Sequence, residues 1–188
     1  TSGIGKATAE LLAKNNWRLI ICGRNAEVLS QMKADLSVTT EIVTLNFDIR
    51  EFSQVEKAIN SIPENWKKID VLINNAGNAH GMDSLENGNI DDWDAMMDGN
   101  VKGILYISKL LIPGMKAQKS GHIVNISSTA ARQTYANGVV YCASKKAVDV
   151  ISEGMRLELT EFGIKVTNLQ PGLTETDFNN CLVAIDEF

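Results

Sequence analysis

Short apolar runs of strand length alternate along the chain with longer segments whose apolar residues recur at helical spacing. The five candidate strands are rich in Ile, Val and Leu, and they cover 17–22, 41–47, 69–75, 121–127 and 164–170. Candidate helices cover 27–36, 52–62, about 90–111 and a segment that begins near Tyr141. Strands that are apolar on both faces and separated by helices indicate right-handed crossovers and a parallel sheet covered on both sides. The pattern therefore predicts a doubly wound α/β fold.

The two ends of the chain depart from this alternation. The first residues, TSGIGKATAELLAKN, read as the end of a glycine-rich turn that enters a helix, but no strand precedes the turn. We therefore expect that an N-terminal strand of the fold is missing from this sequence. After the last strand, NNCLVAIDEF supplies no closing helix and strand, so the C-terminal elements are also expected to be missing and 181–188 has no assigned role.

The composition is that of one globular domain. The chain has 188 residues, of which 44% are hydrophobic, and no linker or repeat divides them, so we expect a single domain covering 1–188. Its 18 basic and 23 acidic side chains form no basic stripe, which argues against a nucleic-acid or anionic-membrane surface. No run reaches the roughly 18 apolar residues of a membrane span. The expected partners are a small-molecule substrate and further copies of the chain.

The cysteines and histidines argue against a disulfide framework and a metal site. Cys22, Cys142 and Cys181 show no pairing pattern, which is typical of reduced thiols and favours a cytoplasmic location. His80 and His122 lie outside any Cys, Asp or Glu cluster with ligand spacing, so we expect no metal site.

The first candidate binding residues lie in the opening turn. Gly3 and Gly5 fit a turn in which a pyrophosphate approaches amides at a helix N-terminus, although two glycines also fit an ordinary helix entry. Arg24 lies just after the strand at 17–22, where the adenosine ribose of a dinucleotide would be reached. A guanidinium offers a fork of donors to a 2′-phosphate, so Arg24 favours NADP over NAD unless it is merely solvated.

Polar and small residues also follow the later strands. Asp48 follows the strand at 41–47, and NNAG at 74–77 ends the next one. Ser127 and Ser128 lie at the carboxyl end of the strand at 121–127. Each of these alone fits a turn with local hydrogen bonds. Together they occupy successive carboxyl ends of parallel strands, which is where such sheets bind ligands.

These motifs, in this order, resemble the short-chain dehydrogenases/reductases. The resemblance is carried by TSGIG, NNAG, IVNISS, YCASK and LQPGLTET, and it extends over nearly the whole chain, to about Asn180. It implies a Rossmann fold and an NAD(P)-dependent oxidoreductase. It also implies a catalytic tetrad whose members are Asn100, Ser128, Tyr141 and Lys145.

The resemblance gives each tetrad member a role. Tyr141 is the expected general acid and base, and Ser128 is expected to bond the substrate oxygen. Lys145 is expected to grip the nicotinamide ribose, and Asn100 to anchor a water relay behind Lys145.

The resemblance further implies the cofactor contacts, and the expected cofactor is NADP(H). They follow the family's motifs and are Gly3, Ile4, Gly5, Arg24, Asn25, Asp48, Ile49, Asn75, Ala76, Gly77, Tyr141, Lys145, Pro171, Gly172, Thr174 and Thr176. Asp48 and Ile49 would lie beside the adenine, and PGLTET would meet the nicotinamide. The first glycine of the family's phosphate turn is missing here, together with its strand.

The spacing within YCASK has a physical rationale. Residues i and i+4 share a helix face, so the side chains of Tyr141 and Lys145 project from the same side of the helix. A phenol with a pKa near ~10 is a poor base at neutrality, and lowering it by about 3 units requires roughly 4 kcal/mol. A cation about 4 Å away supplies about 4 kcal/mol at an effective dielectric of about 20. We therefore expect Lys145 to bring the pKa of Tyr141 close to neutrality.

Within the family, the chain is most similar to the NADP-dependent 3-hydroxy acid dehydrogenases that oxidise serine and allo-threonine. GRN, NNAGNAHGM, DDWDAMMDGN and PGLTETDF carry this likeness. Arg132 is either a receiver for a substrate carboxylate or a solvated loop residue. The alternatives are reduction of a 3-oxoacyl thioester, a sugar or a steroid, and a non-catalytic regulator that senses NADP(H). The family also implies a homodimer or homotetramer built through the two long helices that follow Ile90 and Tyr141.

Overall fold

The computed structural model describes residues 2–174, in which helices alternate with parallel strands. In chain order the elements are α1 (Gly3–Lys14), β1 (Leu19–Gly23), α2 (Ala26–Leu36), β2 (Ile42–Asn46), α3 (Phe52–Asn60), β3 (Val71–Asn74), α4 (Ile90–Met97), α5 (Gly103–Gln118), β4 (Gly121–Ile126), α6 (Val139–Leu159) and β5 (Ile164–Leu169). Short 3-10 turns lie at Glu64–Trp66, Thr129–Ala131 and Thr160–Phe162. The α/β class predicted from the sequence is confirmed.

All strand pairs are parallel, so their carboxyl ends lie on one side. β1 pairs with β2, and β3, β4 and β5 form a second group in that order; no ladder joins the two groups within residues 2–174. In the second group, Asn74 lies opposite Asn125, and Asn125 lies opposite Asn168. This register places the chain segments that follow β3, β4 and β5 side by side.

Two apolar clusters hold the helices on the strands. The larger cluster packs three helices against the strands β2, β3, β4 and β5. Its helical members include Val55 of α3, Met115 of α5 and Val148 of α6. The smaller cluster packs α1 and α2 on β1 through residues that include Ala13 and Leu29. Burial of these side chains fixes the position of each helix relative to the strand ends.

The helix predicted from about residue 90 contains a wide turn. Five residues, Asp98–Lys102, join α4 to α5 in π-helical geometry. Asn100 lies in this turn and is 0% exposed. Single π-turns inside helices are frequent at functional sites. The sequence pattern predicts the helix but gives no sign of this turn.

The chain enters α1 directly from Ser2. Gly3 has φ 48°, a backbone conformation that favours glycine, and Ile4 O accepts a hydrogen bond from Thr8 Oγ1 at 2.7 Å. A strand ahead of Gly3 and the extent of the domain over 1–188 stay predictions.

Candidate active site

Arg24 and Asp48 meet at the carboxyl ends of β1 and β2. Arg24 Nη1 lies 3.9 Å from Asp48 Oδ2, and the Arg24 side chain is 62% exposed. The guanidinium is therefore presented to solvent, with most of its donors available to an anionic ligand.

Asp48 has a stronger partner that the sequence analysis did not identify. Arg50 Nε lies 3.0 Å from both carboxylate oxygens, and Arg50 Nη2 lies 2.7 Å from Oδ2. These hydrogen bonds hold the pKa of Asp48 below its ordinary value, and the charge of Arg24 adds a smaller effect. Asp48 is thus an ionised, oriented carboxylate between two guanidinium groups. Only their spacing of two positions, in DIR, could have suggested the pair.

Asn25 and Ile49, two predicted cofactor contacts, also have structural roles. Asn25 Oδ1 accepts a hydrogen bond from Val28 N at 3.0 Å and so caps α2. Ile49 packs on α5 so closely that a Cβ on Gly103 would come within 2.9 Å of Ile49 Cγ1. Both residues adjoin Arg24 or Asp48 in the chain and lie at the same edge.

Close contacts after β3 explain why small residues occur there. A Cβ on Gly5 would lie 2.5 Å from Asn75 Nδ2, so the Asn75 side chain packs directly against the start of α1. A Cβ on Gly77 would lie 3.0 Å from Asn100 Oδ1 and 3.2 Å from Lys145 Nζ. The backbone at 76–77 is exposed, so a flat ligand can approach it directly.

Asn100 joins the segment after β3 to α6. Its Oδ1 accepts a hydrogen bond from Asn78 N at 2.7 Å, and its Nδ2 donates to Asn78 O at 2.8 Å. The same Nδ2 donates to Ser144 Oγ at 2.9 Å, and Ser144 donates in turn to Tyr141 O at 2.7 Å. Asn100 therefore fixes the helical turn that presents Tyr141. The sequence analysis did not identify Asn78 or Ser144.

Lys145 lies on the buried face of α6. The residue is 5% exposed, its Nζ donates to Ile126 O at 3.0 Å, and Nζ lies 5.9 Å from the centre of the Tyr141 ring. Burial lowers the pKa of the ammonium group to about 8. Lys145 therefore loses its charge over a pH range in which an exposed lysine keeps it.

Ser128 and Tyr141, which are far apart in sequence, form a side-chain hydrogen bond. Ser128 Oγ also accepts from Ala130 N at 3.1 Å, which anchors the hydroxyl at the start of the 3-10 turn after β4. The two hydroxyl groups therefore face the same small volume, where a single substrate oxygen can reach both.

The pKa of Tyr141 differs from the sequence-based expectation, which was a value near neutrality. Burial raises it above the ordinary value for tyrosine, and the hydrogen bond with Ser128 offsets only part of that effect. Lys145 does not reverse the shift in the protein alone, since its own ammonium is destabilised by burial. The phenol by itself is thus suited to donate a proton, and its use as a base requires additional positive charge.

The segment that follows β5 runs beside the turn after β4. Thr129 N donates to Pro171 O at 3.0 Å, and a Cβ on Gly172 would lie 4.0 Å from Thr129 Cγ2. Thr174 Oγ1 donates to Gly172 O at 3.2 Å. Thr176, a further predicted cofactor contact, lies outside the described residues, as does 181–188, to which the sequence assigns no role.

A cavity opens beside Tyr141, between the loop at 80–88, α4 and the start of α6. Its lining includes two carboxylates, and Asp92 Oδ2 and Asp83 Oδ2 lie 3.1 and 3.7 Å from the point that a Gly81 Cβ would occupy. The carboxylates thus face a common point and make the cavity negative. Arg132, the candidate receiver for a carboxylate, is exposed and lies outside this lining.

The histidines have other neighbours. His80 lines the cavity, and His122 Nε2 lies 2.8 Å from Thr167 Oγ1 on the neighbouring strand. Among residues 2–174, no three His, Cys, Asp or Glu side chains are grouped as metal ligands. Over the same range, no helix has the length and apolar character required to cross a membrane.

Comparison with known proteins gives consistent matches over the whole described fold. The family described as short chain dehydrogenase matches residues 1–184. A NADP-dependent 3-hydroxy acid dehydrogenase YdfG of Salmonella typhi is 36% identical over 181 residues, covering 96% of this chain and 72% of the relative. A serine 3-dehydrogenase of Agrobacterium fabrum is 39% identical over 178 residues, covering 95% of this chain and 70% of the relative.

A solved structure gives the same result. The closed form of serine dehydrogenase complexed with NADP+ superposes with a TM-score of 0.90 at 36% identity, covering 95% of this chain and 72% of that one. The family match, the sequence relatives and the superposition therefore agree, and the chain belongs to the short-chain dehydrogenase family.

Proposed function

We propose that this oxidoreductase transfers a hydride between NADP(H) and the hydroxyl-bearing carbon of a small 3-hydroxy acid such as serine or allo-threonine. The enzyme class follows from the family, and the substrate follows from relatives whose names specify 3-hydroxy acids and serine. We also propose a cytoplasmic location, since Cys22 and Cys142 are free thiols.

One observation carries the catalytic proposal. Tyr141 shares a hydrogen bond with Ser128, and the Lys145 ammonium lies 5.9 Å from the Tyr141 ring centre. A proton donor, a second hydroxyl and a buried cation are thus gathered at the carboxyl ends of the strands, next to a cavity. A regulator that only senses the cofactor has no physical need for this arrangement.

The described residues fit a nicotinamide dinucleotide phosphate. Ala76 and Gly77 are small and exposed, so a flat ring can approach their backbone, and Arg24 offers an exposed guanidinium to a phosphate. We assign the pyrophosphate to the first turn of α1 at 3–5, the 2′-phosphate to Arg24, the adenine to 48–49 and 75–77, and the nicotinamide to the PGLT segment, which is 171–174. When bound, the nicotinamide ring supplies or accepts the hydride.

Side chains of the protein donate and accept the proton that accompanies hydride transfer. In reduction, Tyr141 Oη donates a proton to the substrate oxygen, while Ser128 Oγ hydrogen-bonds that oxygen and stabilises its developing charge. In oxidation, the Tyr141 phenolate takes the hydroxyl proton. Lys145 in its ammonium form stabilises that phenolate and opposes the effect of burial. Asn100 holds the turn of α6 that carries Tyr141.

Substitution of Arg24 tests the cofactor assignment. We expect Arg24→Ala to raise the KM for NADPH by about 10-fold to 100-fold, since charge-assisted hydrogen bonds contribute about 1.5–3 kcal/mol. The KM for NADH should change little, because NADH has no 2′-phosphate. Steady-state assays with both cofactors measure the two values, and exposed Arg156→Ala on α6 is the control. An equal rise for both cofactors would contradict the assignment.

A substrate panel tests the proposed function, with NADP(H) absorbance as the readout. Because Asp83 and Asp92 make the cavity negative, we expect 3-hydroxy amino acids, which carry an ammonium group, to be preferred. Their kcat/KM should exceed that of 3-hydroxy acids without an amino group by about 10-fold or more. The reverse order would refute this role of the carboxylates.

The same panel separates the alternatives. Preference for a 3-oxoacyl thioester, a sugar or a steroid would replace the 3-hydroxy acid proposal by another reductase of the family. NADPH binding without turnover of any compound would indicate a regulator instead.

Exposed apolar side chains on the two long helices support self-association. Leu105 on α5 is 44% exposed, and Val150 and Leu157 on α6 are 62% and 79% exposed. Val150 and Leu157 are two helical turns apart on one face of α6. We propose that these side chains are covered in a homodimer or homotetramer through α5 and α6.

A further inference from the structure

One carboxylate on α6 binds three donors from the ends of two strands. Asp149 Oδ1 accepts hydrogen bonds from Ser127 Oγ at 2.8 Å and Asn168 Nδ2 at 2.7 Å. Asp149 Oδ2 accepts from Gln170 Nε2 at 2.9 Å. Ser127 follows β4 directly, and Asn168 and Gln170 lie at and after the end of β5. A single side chain therefore ties α6 to two neighbouring strand ends.

Two of the three tied points adjoin a residue of the active site. Ser127 precedes Ser128, and Gln170 precedes Pro171. Asp149 lies one helical turn beyond Lys145, and Ser127 Oγ also lies 3.0 Å from Lys145 O. The hydrogen bonds of Asp149 thus link the end of β4, which leads into Ser128, to α6, which carries Lys145.

The chemistry of the site suits an ionised carboxylate. Burial favours the neutral form, but hydrogen bonds from Asn168, Gln170 and Ser127 outweigh it and lower the pKa of Asp149. A carboxylate only accepts hydrogen bonds, so it matches three donors at once. The neighbouring cation, Lys146, lies 3.9 Å away and is 63% exposed, so the uncharged donors are the main partners.

We propose that Asp149 is a positioning residue, which sets Ser128 and the PGLT segment relative to Tyr141 and Lys145. Asp149 acts through Ser127 and Gln170 and makes no contact with the substrate. Asp149 contributes to the reaction by fixing the positions of these groups, because displacement of reacting groups by about 1 Å lowers the rate by about 100-fold. The inference rests on the proposed function of the site.

Two substitutions at Asp149 separate positioning from general stability. Asp149→Ala removes the acceptor of all three donors, and we expect kcat to fall by about 10-fold to 100-fold with little change in the KM for NADPH. Asp149→Asn keeps an oxygen for Ser127 and Asn168, and the Gln170 amide can turn its oxygen toward the new NH2 group. This variant should retain kcat within about threefold of the wild type.

The measurements are kcat, KM and the thermal midpoint of each variant, with exposed Glu158→Ala on the same helix as the control. If Asp149→Ala lowers only the thermal midpoint and keeps kcat, the residue is structural and the proposal is overturned. Equal losses in Asp149→Ala and Asp149→Asn would overturn it as well. If Asp149→Ala does not fold, Gln170→Leu replaces it in the test, because this substitution removes one donor. It should lower kcat by about threefold or more. An unchanged kcat in Gln170→Leu would also overturn the proposal.

A readout without turnover keeps this test separate from the proposed function. The ionisation of Tyr141 is followed as the ultraviolet difference between the wild type and Tyr141→Phe over a pH titration. We expect Asp149→Ala to shift the Tyr141 midpoint, since the Ser128 hydroxyl moves, and Asp149→Asn to restore it. If the wild type turns over no substrate, the proposed function fails, while an unshifted midpoint overturns the positioning role.

Discussion

Tyr141→Phe is expected to lower kcat by at least about 100-fold, the range in which a positioned proton donor contributes to catalysis. The substitution removes only the phenolic oxygen, so the ring keeps its packing on α6. Binding of NADPH should change by less than about threefold, because the loss lies in the transition state rather than in the ground state. Stopped-flow oxidation of bound NADPH measures the chemical step, and fluorescence titration measures the binding.

Tyr106→Phe provides the matched control for this substitution. Tyr106 lies on α5, where its ring packs edge-on against Phe52 at a centroid distance of 5.3 Å. Loss of that hydroxyl should leave kcat unchanged. If Tyr141→Phe turns over at a rate near that of Tyr106→Phe, the proton in the reaction comes from another group.

Lys145→Met is expected to lower kcat by about 100-fold or more, chiefly in the oxidation direction. Without the ammonium group, burial raises the pKa of Tyr141 with no opposing charge, so less phenolate is present to accept a proton. Stability should change little, because the lost hydrogen bond to Ile126 O is offset by removal of a buried charge. Activity and thermal unfolding are measured on the same samples.

The control for this variant is Lys57→Met, since Lys57 is exposed on α3 and has no assigned role in the site. A Lys145→Met enzyme that keeps full oxidation activity would remove the lysine from the mechanism. A variant that unfolds at a much lower temperature would show that Lys145 has mainly a structural role.

The regular elements could be predicted from periodicity alone. The predicted strand at 121–127 is observed as Gly121–Ile126, and the predicted helix at 27–36 as Ala26–Leu36. The strand is a short apolar run, and the buried residues of the helix, Leu29 and Met32, recur at helical spacing, so the sequence pattern agrees with the packing. Apolar periodicity cannot reveal the π-turn at Asp98–Lys102, because it depends on polar contacts that Asn100 makes with other parts of the chain.

The residues of the site could be identified from motifs, but the shifts of their pKa values could not. Spacing predicted that Tyr141 and Lys145 share a face, and the structure places them so, with the lysine nitrogen 5.9 Å from the ring centre. Spacing did not predict that burial would raise one pKa and lower the other. That outcome depends on how many surrounding atoms exclude water, which only the packed fold defines.

Partners that come from distant segments were also missed. Asp149 was not identified from the sequence, because its three donors lie at or after the ends of two different strands. Arg50 was passed over because its bond to Asp48 depends on a local backbone turn. Such contacts carry no periodic signal in a single sequence.

The pH dependence of kcat/KM in both reaction directions tests the acid and base role of Tyr141 most directly. Oxidation requires the phenolate, so its kcat/KM should rise with pH to a plateau, whereas reduction requires the phenol, so its kcat/KM should fall with rising pH. In Lys145→Met the apparent pKa of the oxidation profile should move to higher pH, since the opposing charge is gone. An oxidation kcat/KM that does not rise with pH, or no movement in Lys145→Met, would contradict the account.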